Sequence, residues 1–307
     1  MKKVIAHSPV NIALIKYWGK ANPVTVFPTT TSVSLTLTDL WTETTFTEGP
    51  FSFSLDGRPG DEKETARVKD VLKHFHHDQV VIQSKNNFPT ASGLASSASG
   101  FAALTVGLNS FFQSNYSLQE LANLTRMGSG SACRSLVDDF AIWHRDGRLT
   151  SISNPFVDLR VIIVLISEKK KNISSREAMQ LTQTTSPVYA EWVKDSEDDY
   201  LAIINAIESK DFHQVGLVME RNSQRLHGVM ATSQPPIVYQ QAASLDVLSF
   251  VKEARQQGLV GFTTMDAGPN VKIFIQGSQL PAWEQFLKSR LHHRYLISRV
   301  GGKTHAE

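Results

Sequence analysis

Apolar and polar residues alternate along the first half of the chain. Residues 33–38 alternate between aliphatic and hydroxyl side chains, which predicts a half-buried strand. Residues 51–55 alternate in the same way and lead into Asp56 and Gly57, a pair that favours a β-hairpin turn. The apolar run at residues 160–166 predicts a strand that is buried on both faces. This half is therefore predicted to be rich in strands.

Helical spacing appears at three places. Small or apolar residues recur at helical intervals over residues 94–112, and residues 199–208 and 244–257 each carry one apolar face. In the last of these, Ser244 is the expected N-cap and Gly258 the expected stop. The pattern predicts helices at all three positions.

Helices dominate beyond the lysines at residues 169–171. We therefore place a domain boundary near residue 170, which gives an N-terminal domain of residues 1–170 and a helix-rich C-terminal domain of residues 171–307. An antiparallel or mixed sheet with segregated helices makes the predicted fold class α+β.

Composition limits the possible functions. Hydrophobic residues make up 41% and charged residues 20% of the 307 residues, as expected for a globular enzyme. The formal net charge of +2 predicts no general attraction to nucleic acid or membranes. A single cysteine excludes an internal disulfide and fits a reducing compartment. With no apolar signal segment or membrane span in the sequence, the protein is predicted to be soluble and cytoplasmic.

Residues 86–100 form the most informative segment of the chain. They are small and rich in hydroxyls, and they lie between a predicted strand at residues 80–82 and the helix that follows. A strand, such a loop and a helix start point several backbone N–H groups at one position, at the positive end of the helix dipole. The segment therefore predicts a phosphate-binding loop, although no Gly-Lys-Ser/Thr makes it a Walker loop. The alternative is a small-residue helix packed closely on a neighbour.

A second candidate segment covers residues 10–20. Lys16 and Lys20 flank Tyr17 and Trp18 in an otherwise apolar stretch. The lysines could be held in a pocket to meet an anion, or they could extend from a strand edge into water.

Two further segments carry a charged residue among small ones. Residues 128–135 contain Arg134, whose planar guanidinium could bind a carboxylate or phosphate; the alternative is a flexible turn. Residues 266–270 form a good turn, in which Asp266 could still act as a general base.

Together the four segments resemble, in the same order, motifs of the diphosphomevalonate decarboxylases, a family of the GHMP kinase superfamily. The resemblance extends over nearly the whole chain and is most specific at residues 16–20 and 128–135. It implies a two-domain GHMP kinase-like α+β fold with the active site in the cleft between domains. The implied reaction, a step of the mevalonate pathway of isoprenoid biosynthesis, converts mevalonate 5-diphosphate and ATP to isopentenyl diphosphate, carbon dioxide, ADP and phosphate, with Mg²⁺ as cofactor.

The resemblance also implies residue roles. Asp266 would orient the C3 hydroxyl of the substrate and take its proton, Lys16 would neutralise charge nearby, and Arg134 would hold the substrate carboxylate. The implied ATP-binding residues are Gly93, Leu94, Ala95, Ser96 and Ser97, with Ser96 or Ser97 near the γ-phosphate and Ser97 as the metal ligand. The implied substrate-binding residues are Tyr17, Lys20, Ser129, Ser131, Arg134, Ser175 and Arg176.

The sequence departs from the family pattern at three places. Asp138 and Asp139 stand where small residues are usual, Thr30 replaces an asparagine, and Ala178 replaces a glycine. The alternatives are a sister enzyme, either a mevalonate-type kinase or a mevalonate monophosphate decarboxylase, and a non-catalytic nucleotide-binding regulator. We expect a homodimer that does not bind nucleic acid or membranes.

Overall fold

The computed structural model describes residues 2–22, 26–89, 96–169 and 172–307. These residues form an eight-stranded sheet, a four-stranded sheet and a two-stranded ribbon, with helices packed against them, so the predicted α+β class is confirmed. The strands are β1 (Lys3–Ile15), β2 (Lys20–Asn22), β3 (Phe27–Pro28), β4 (Ser32–Thr47), β5 (Ser52–Leu55), β6 (Arg58–Pro59), β7 (Val81–Asn86), β8 (Phe140–Trp143), β9 (Leu149–Ile152), β10 (Leu159–Val164), β11 (Gly261–Met265), β12 (Val271–Gln276), β13 (Tyr295–Arg299) and β14 (His305–Ala306). The helices are α1 (Glu62–Leu72), α2 (Ser96–Phe112), α3 (Leu118–Gly128), α4 (Ser175–Thr185), α5 (Tyr189–Glu208), α6 (Phe212–Ala231), α7 (Ala242–Gln256) and α8 (Leu280–Arg290).

The larger sheet has the strand order β14-β1-β4-β7-β5-β6, and β8 and β9 extend it from β4. Its pairs are antiparallel except β5 and β7, which are parallel. The predicted hairpin joins β5 to β6, where Asp56 and Gly57 take φ angles of 51° and 79°. Such angles match a type I′ turn, which glycine adopts without strain.

Strand β1 carries the lysine motif to the centre of the molecule. It runs antiparallel to β4, with Ile12 opposite Leu35, and its register shifts between Ala13 and Ile15. Such a shift re-aims the residues beside it. The strand ends there, one residue before Lys16, whose side chain is directed into the interior.

The smaller sheet has the order β11-β12-β10-β13 and is antiparallel throughout. Its strand β10 is buried on both faces, as predicted: Val161 and Ile163 belong to one core cluster, and Ile162 and Val164 to another. This strand precedes residue 170 and pairs with strands that follow it. The division of the chain near residue 170 remains a prediction.

One hydrophobic core connects the two sheets. It includes Ile12 and Leu35 of the larger sheet, Val161 of the smaller sheet, and Ile203 and Met219 from helices α5 and α6. Burial of a side chain of this size stabilises a fold by about 1.5–3 kcal/mol. The shared core therefore fixes the end of β1 relative to the turn between β11 and β12.

The helix predictions were correct in place but not in every boundary. Helix α5 begins ten residues before the predicted start at residue 199, and α6 was not predicted. The predicted N-cap Ser244 is wrong: Gln241 occupies that position. The reason is that Ser244 is buried within the first turn, where its hydroxyl donates to the Pro269 carbonyl at 2.7 Å. Gly258 ends α7 in the left-handed region, as predicted, with φ at 88°.

In the ranges that the structure describes, no helix has the length and apolar character needed to cross a membrane.

Candidate active site

Asp266 lies in the turn between β11 and β12, where it meets two buried lysines. Its Oδ1 accepts a hydrogen bond from Lys16 Nζ at 2.8 Å, and its Oδ2 accepts one from Lys272 Nζ at 2.9 Å. Lys16 Nζ also donates to the Ala13 carbonyl at 2.8 Å. Both lysine side chains are 2% exposed, whereas Asp266 is 29% exposed. The carboxylate is therefore the member of this cluster that a ligand can reach.

The cluster determines the charge state of its members. Burial alone would raise the pKa of Asp266, but the charges and hydrogen bonds of Lys16 and Lys272 hold that pKa well below its usual range. Burial lowers the pKa of Lys16 to about 8, although Asp266 opposes the change. At neutral pH, Asp266 is thus a carboxylate and Lys16 is mostly an ammonium. Asp266 is a weak base but a good acceptor of a hydrogen bond from a hydroxyl.

Arg134 is buried in a 3-10 helix, Gly130–Leu136, and is 4% exposed. Its Nε and Nη2 donate to Asn11 Oδ1 at 3.3 and 3.2 Å, and Asn11 in turn donates to Ser135 Oγ at 2.8 Å. Its Nη1 is buried and has no hydrogen-bond partner within residues 2–22, 26–89, 96–169 and 172–307, and the guanidinium is close enough to interact electrostatically with Asp266. A buried donor without an acceptor costs about 1–3 kcal/mol. An anion bound beside Asp266 would relieve that cost.

His227 of α6 adds a neutral group to the cluster. Its Nε2 is buried and has no hydrogen-bond partner among the described residues. Burial, together with the nearby charge of Lys16, lowers the pKa of His227 to about 4. Where the structure describes the site, it therefore combines three cations, Lys16, Lys272 and Arg134, with a single carboxylate. This excess of positive charge favours an anionic ligand.

The predicted phosphate-binding segment leads into α2. Its predicted residues Gly93, Leu94 and Ala95 lie outside the described residues. Ser96 and Ser97 form the first turn of α2, and Ser97 Oγ lies 3.3 Å from Ser129 Oγ. This contact brings the start of α2 next to the segment of residues 128–135. Beside it is a cavity whose lining includes Thr44, Phe53, Arg67, Ser84, Ser96 and Ser97.

A basic surface lies beside α4. Lys20 and Arg176 line one pocket there. The side chain of Gln183 fixes the backbone of Lys20, accepting from its N–H at 3.1 Å and donating to its carbonyl at 2.9 Å. Burial lowers the pKa of Lys20, and the nearby charges of Arg176 and Arg67 lower it further. The structure thus brings together Lys20 and Arg176, two of the predicted substrate-binding residues, and places Arg67 close enough to add positive charge.

The remaining predicted ligands lie around these groups. The Tyr17 ring packs edge-on against Trp143, with 4.8 Å between ring centroids. Its hydroxyl is buried and has no hydrogen-bond partner among the residues that the structure describes. The Ser131 carbonyl accepts from Asn11 Nδ2 at 3.2 Å. Ser175 is the first residue of α4. Their roles as substrate ligands remain predictions.

The sequence interpretation missed four polar residues of the site. Asn11 holds Arg134, Lys272 holds Asp266, and the side chain of Asn222 accepts from the Lys16 backbone N–H at 2.8 Å. His227 lies among the same charges. The signal for Lys272 was its position in an apolar strand, where a lysine requires a partner. Nothing local in the sequence distinguishes Asn222 or His227 from other polar helix residues.

The chain matches two family models. Residues 8–153 match the diphosphomevalonate decarboxylase-like N-terminal domain, and residues 161–304 match the mevalonate 5-diphosphate decarboxylase C-terminal domain. The chain belongs to the diphosphomevalonate decarboxylase family.

Relatives within this family resemble the chain over most of its length. The diphosphomevalonate decarboxylase of Candida albicans is 34% identical to this chain. The alignment covers 87% of this chain and 82% of the relative. One solved structure concerns ATP binding mediated by mevalonate diphosphate in the mevalonate diphosphate decarboxylase from Enterococcus faecalis. It is 36% identical to this chain, and it superposes with a TM-score of 0.92 over 99% of this chain and 98% of that one. A structure of MDDEF in complex with MVAPP, AMPPCP and magnesium gives the same identity, TM-score and coverage.

The structure shows the local surroundings of three residues that depart from the family pattern, Thr30, Ala178 and Asp138. Thr30 is fully buried, and its hydroxyl donates to the Lys16 carbonyl at 3.3 Å. Thr30 therefore supports the backbone just beyond the end of β1. Ala178 is buried in a core cluster with Trp18. Asp138 is exposed, and its Oδ1 accepts from the Gly302 N–H at 2.7 Å. Asp138 thus stabilises a C-terminal turn and makes no hydrogen bond or ion pair with Arg134 among the contacts described.

Replacing Asp138 and Asp139 by glycine is expected to leave the apparent affinity for mevalonate 5-diphosphate within about threefold of the unchanged protein. Asp138 is exposed and Asp139 is partly exposed, and charges at a protein surface interact weakly through water. Titration at low and high ionic strength measures this. A tenfold tightening at low salt that shrinks as salt is added would show instead that a carboxylate repels the substrate.

Proposed function

We propose that this protein decarboxylates mevalonate 5-diphosphate in an ATP-dependent reaction that yields isopentenyl diphosphate, carbon dioxide, ADP and phosphate, a step of the mevalonate pathway. One observation carries the proposal: an ionised carboxylate held between two buried lysines lies close to a buried arginine donor that has no partner in the described part of the chain. Family membership supports it. So does the MDDEF complex, which holds MVAPP, AMPPCP and magnesium.

The start of α2 fits the phosphates of ATP. The backbone N–H groups at a helix start and the hydroxyls of Ser96 and Ser97 can donate to phosphate oxygens. The cavity beside them combines the apolar surface of Phe53 and Phe101 with polar side chains, as a nucleoside requires. Bound Mg²⁺, with Ser97 as the proposed protein ligand, would neutralise charge on the phosphates.

Asp266 is proposed to orient the C3 hydroxyl of the substrate. Its carboxylate can accept the hydroxyl hydrogen while Lys16 and Lys272 hold both of its oxygens. Because its pKa lies below the usual range, Asp266 takes the proton only as phosphoryl transfer makes the hydroxyl acidic. The chief contributions of this group are then position and charge, as phosphoryl transfer requires.

Arg134 is proposed to hold the substrate carboxylate through its free Nη1. After phosphorylation, the C3–O bond breaks and phosphate leaves with its electron pair. The C1–C2 bond then breaks, its electrons form the C2–C3 double bond, and C1 leaves as carbon dioxide. Arg134 and the nearby lysines keep the carboxylate in the orientation from which this cleavage proceeds.

The diphosphate end of the substrate is proposed to lie against the basic surface. Lys20 and Arg176 supply charge there, and the other proposed ligands of the diphosphate are Tyr17, Ser129, Ser131 and Ser175. Binding of the remote diphosphate would position the reacting end at little further entropic cost.

Substrate choice tests this proposal against the sister enzymes. ADP and carbon dioxide are measured with mevalonate, mevalonate 5-phosphate and mevalonate 5-diphosphate as separate substrates. The proposal requires equal amounts of both products with the diphosphate. Preference for the monophosphate, or ADP without carbon dioxide, would assign the protein to a sister activity.

Replacing Ser96 or Ser97 by alanine is expected to lower the rate of decarboxylation at limiting ATP by at least about tenfold. Both serines lie in the first turn of α2, where their hydroxyls are proposed to bind the phosphates. Affinity for mevalonate 5-diphosphate should change by less than about threefold. Steady-state kinetics with each substrate varied in turn measures both effects, and Ser289→Ala, on an exposed helix end, is the control. Wild-type kinetics in both variants would show that the phosphates bind elsewhere.

We further propose that the enzyme works in the cytoplasm as a homodimer. The one cysteine, Cys133, is buried and free, which suits a reducing compartment. Light scattering tests the assembly: a mass twice that of the chain is expected, and a mass equal to one chain would refute the dimer.

A further inference from the structure

Lys272 occupies an unusual position for a lysine. It lies on β12, between β10 and β11 in the four-stranded sheet, and it is 1% exposed. Its neighbours Val271 and Ile273 pack on the cluster beneath α7 and α8. Lys272 therefore points to the opposite face, toward the end of β1. A buried ammonium is costly unless an anion compensates it.

That anion is Asp266, and Lys272 binds the oxygen that Lys16 does not. Lys16 Nζ lies 2.8 Å from Oδ1, and Lys272 Nζ lies 2.9 Å from Oδ2. Lys16 directly follows β1 of the larger sheet, and Lys272 lies on β12 of the smaller sheet. One hydrophobic core fixes the two sheets relative to each other. A carboxylate held through one oxygen can still rotate about its Cβ–Cγ bond, whereas one held through both cannot. Of its roughly four acceptor positions, about two remain for a ligand.

We propose that Lys272 is a positioning residue of the active site, whose ammonium fixes the orientation of the Asp266 carboxylate toward the C3 hydroxyl and keeps it ionised. This inference rests on the proposed function.

The charged and titratable groups that face Asp266 define what a substitution would change. Among the described residues they are Lys16, which directly follows β1, Lys272 on β12, His227 on α6 and Arg134 on the 3-10 helix. Replacing Lys272 by an uncharged residue leaves one hydrogen-bonded ammonium on the carboxylate. Because an opposite charge at this distance lowers a carboxyl pKa by about 1–3 units, its loss should raise the pKa of Asp266 by about that amount.

The test compares the unchanged enzyme with Lys272→Met, which has a similar length and no charge. We expect kcat to fall by at least about tenfold with KM for mevalonate 5-diphosphate within about threefold, because the lost contact orients a reacting group. Activity needs an ionised Asp266, so it falls as pH drops through the pKa of that residue. A higher pKa moves this acid limb of the kcat profile upward by about 1–3 pH units.

Lys252→Met, on an exposed position of α7, controls for the loss of one positive charge and should behave as wild type. If Lys272→Met does not fold, Lys272→Gln, which keeps a hydrogen-bond donor but not the charge, takes its place in the test. The acid limb of its kcat profile should also move to higher pH. Ionisations of the substrates are common to all variants and cancel in the comparison. An acid limb that does not move in the folded variant, whether or not kcat falls, would overturn the proposal and leave Lys272 a structural role. Failure of the unchanged enzyme to release carbon dioxide would refute the proposed function instead.

Discussion

Asp266→Asn is expected to abolish decarboxylation while mevalonate 5-diphosphate still binds. The amide keeps the shape of the side chain, but it can neither carry the charge nor accept the hydroxyl proton. Loss of a positioned acid–base group lowers rates by about 10²–10⁴-fold. Binding should survive because Lys16, Lys272 and Arg134 still give the site an excess of positive charge.

The same substitution removes the partner of two buried lysines. Breaking a buried ion pair destabilises a protein by roughly 3–5 kcal/mol, so binding and turnover must be measured well below the melting temperature of the variant. Calorimetry gives the affinity, and release of ADP and carbon dioxide gives the rate. Asp246→Asn, at an exposed position of α7, is the matched control. Unchanged steady-state decarboxylation in Asp266→Asn would refute the role assigned to this carboxylate.

Arg134→Lys is expected to lower turnover by about 10²–10³-fold, the effect of removing one preorganised donor from a charge-stabilising site. The guanidinium uses Nε and Nη2 to bind Asn11 and leaves Nη1 free for the substrate. A single ammonium cannot hold that fixed geometry. The loss should appear mainly in kcat, since the carboxylate must be held as it leaves.

Steady-state kinetics of Arg134→Lys with saturating ATP measures the effect. Arg126→Lys is a suitable control because Arg126 is also a buried arginine, but it stacks on Phe27, with 4.2 Å between its guanidinium carbon and the ring centroid. The control should keep kcat within about threefold. Wild-type turnover in Arg134→Lys would show that Arg134 does not grip the carboxylate.

Local patterns predicted part of the fold, in strands as well as in helices. Alternation at residues 33–38 and the apolar run at residues 160–166 are local signals, and both segments form strands. Helix α6 was missed because buried residues occur around much of its circumference, from Val215 to Met230, which obscures a single apolar face. The boundary of α7 depends on a tertiary contact of Ser244, which no local pattern reveals.

The candidate site shows the same limit. Lys16 and Asp266 are 250 residues apart in sequence, and their contact depends on the core that joins two sheets. Motif resemblance named both residues, but it could not show that Lys272 binds the second oxygen. Nor could it show that Asn11 occupies two of the Arg134 donors. These partners follow from packing.

The stoichiometry of carbon dioxide and ADP tests the central claim most directly. The purified protein is incubated with ATP, Mg²⁺ and mevalonate 5-diphosphate labelled at C1, and released carbon dioxide and ADP are counted over time. The account predicts one carbon dioxide for each ADP, with isopentenyl diphosphate as the organic product and no release without ATP. ADP formation without labelled carbon dioxide, or no turnover by a protein that binds both substrates, would contradict it.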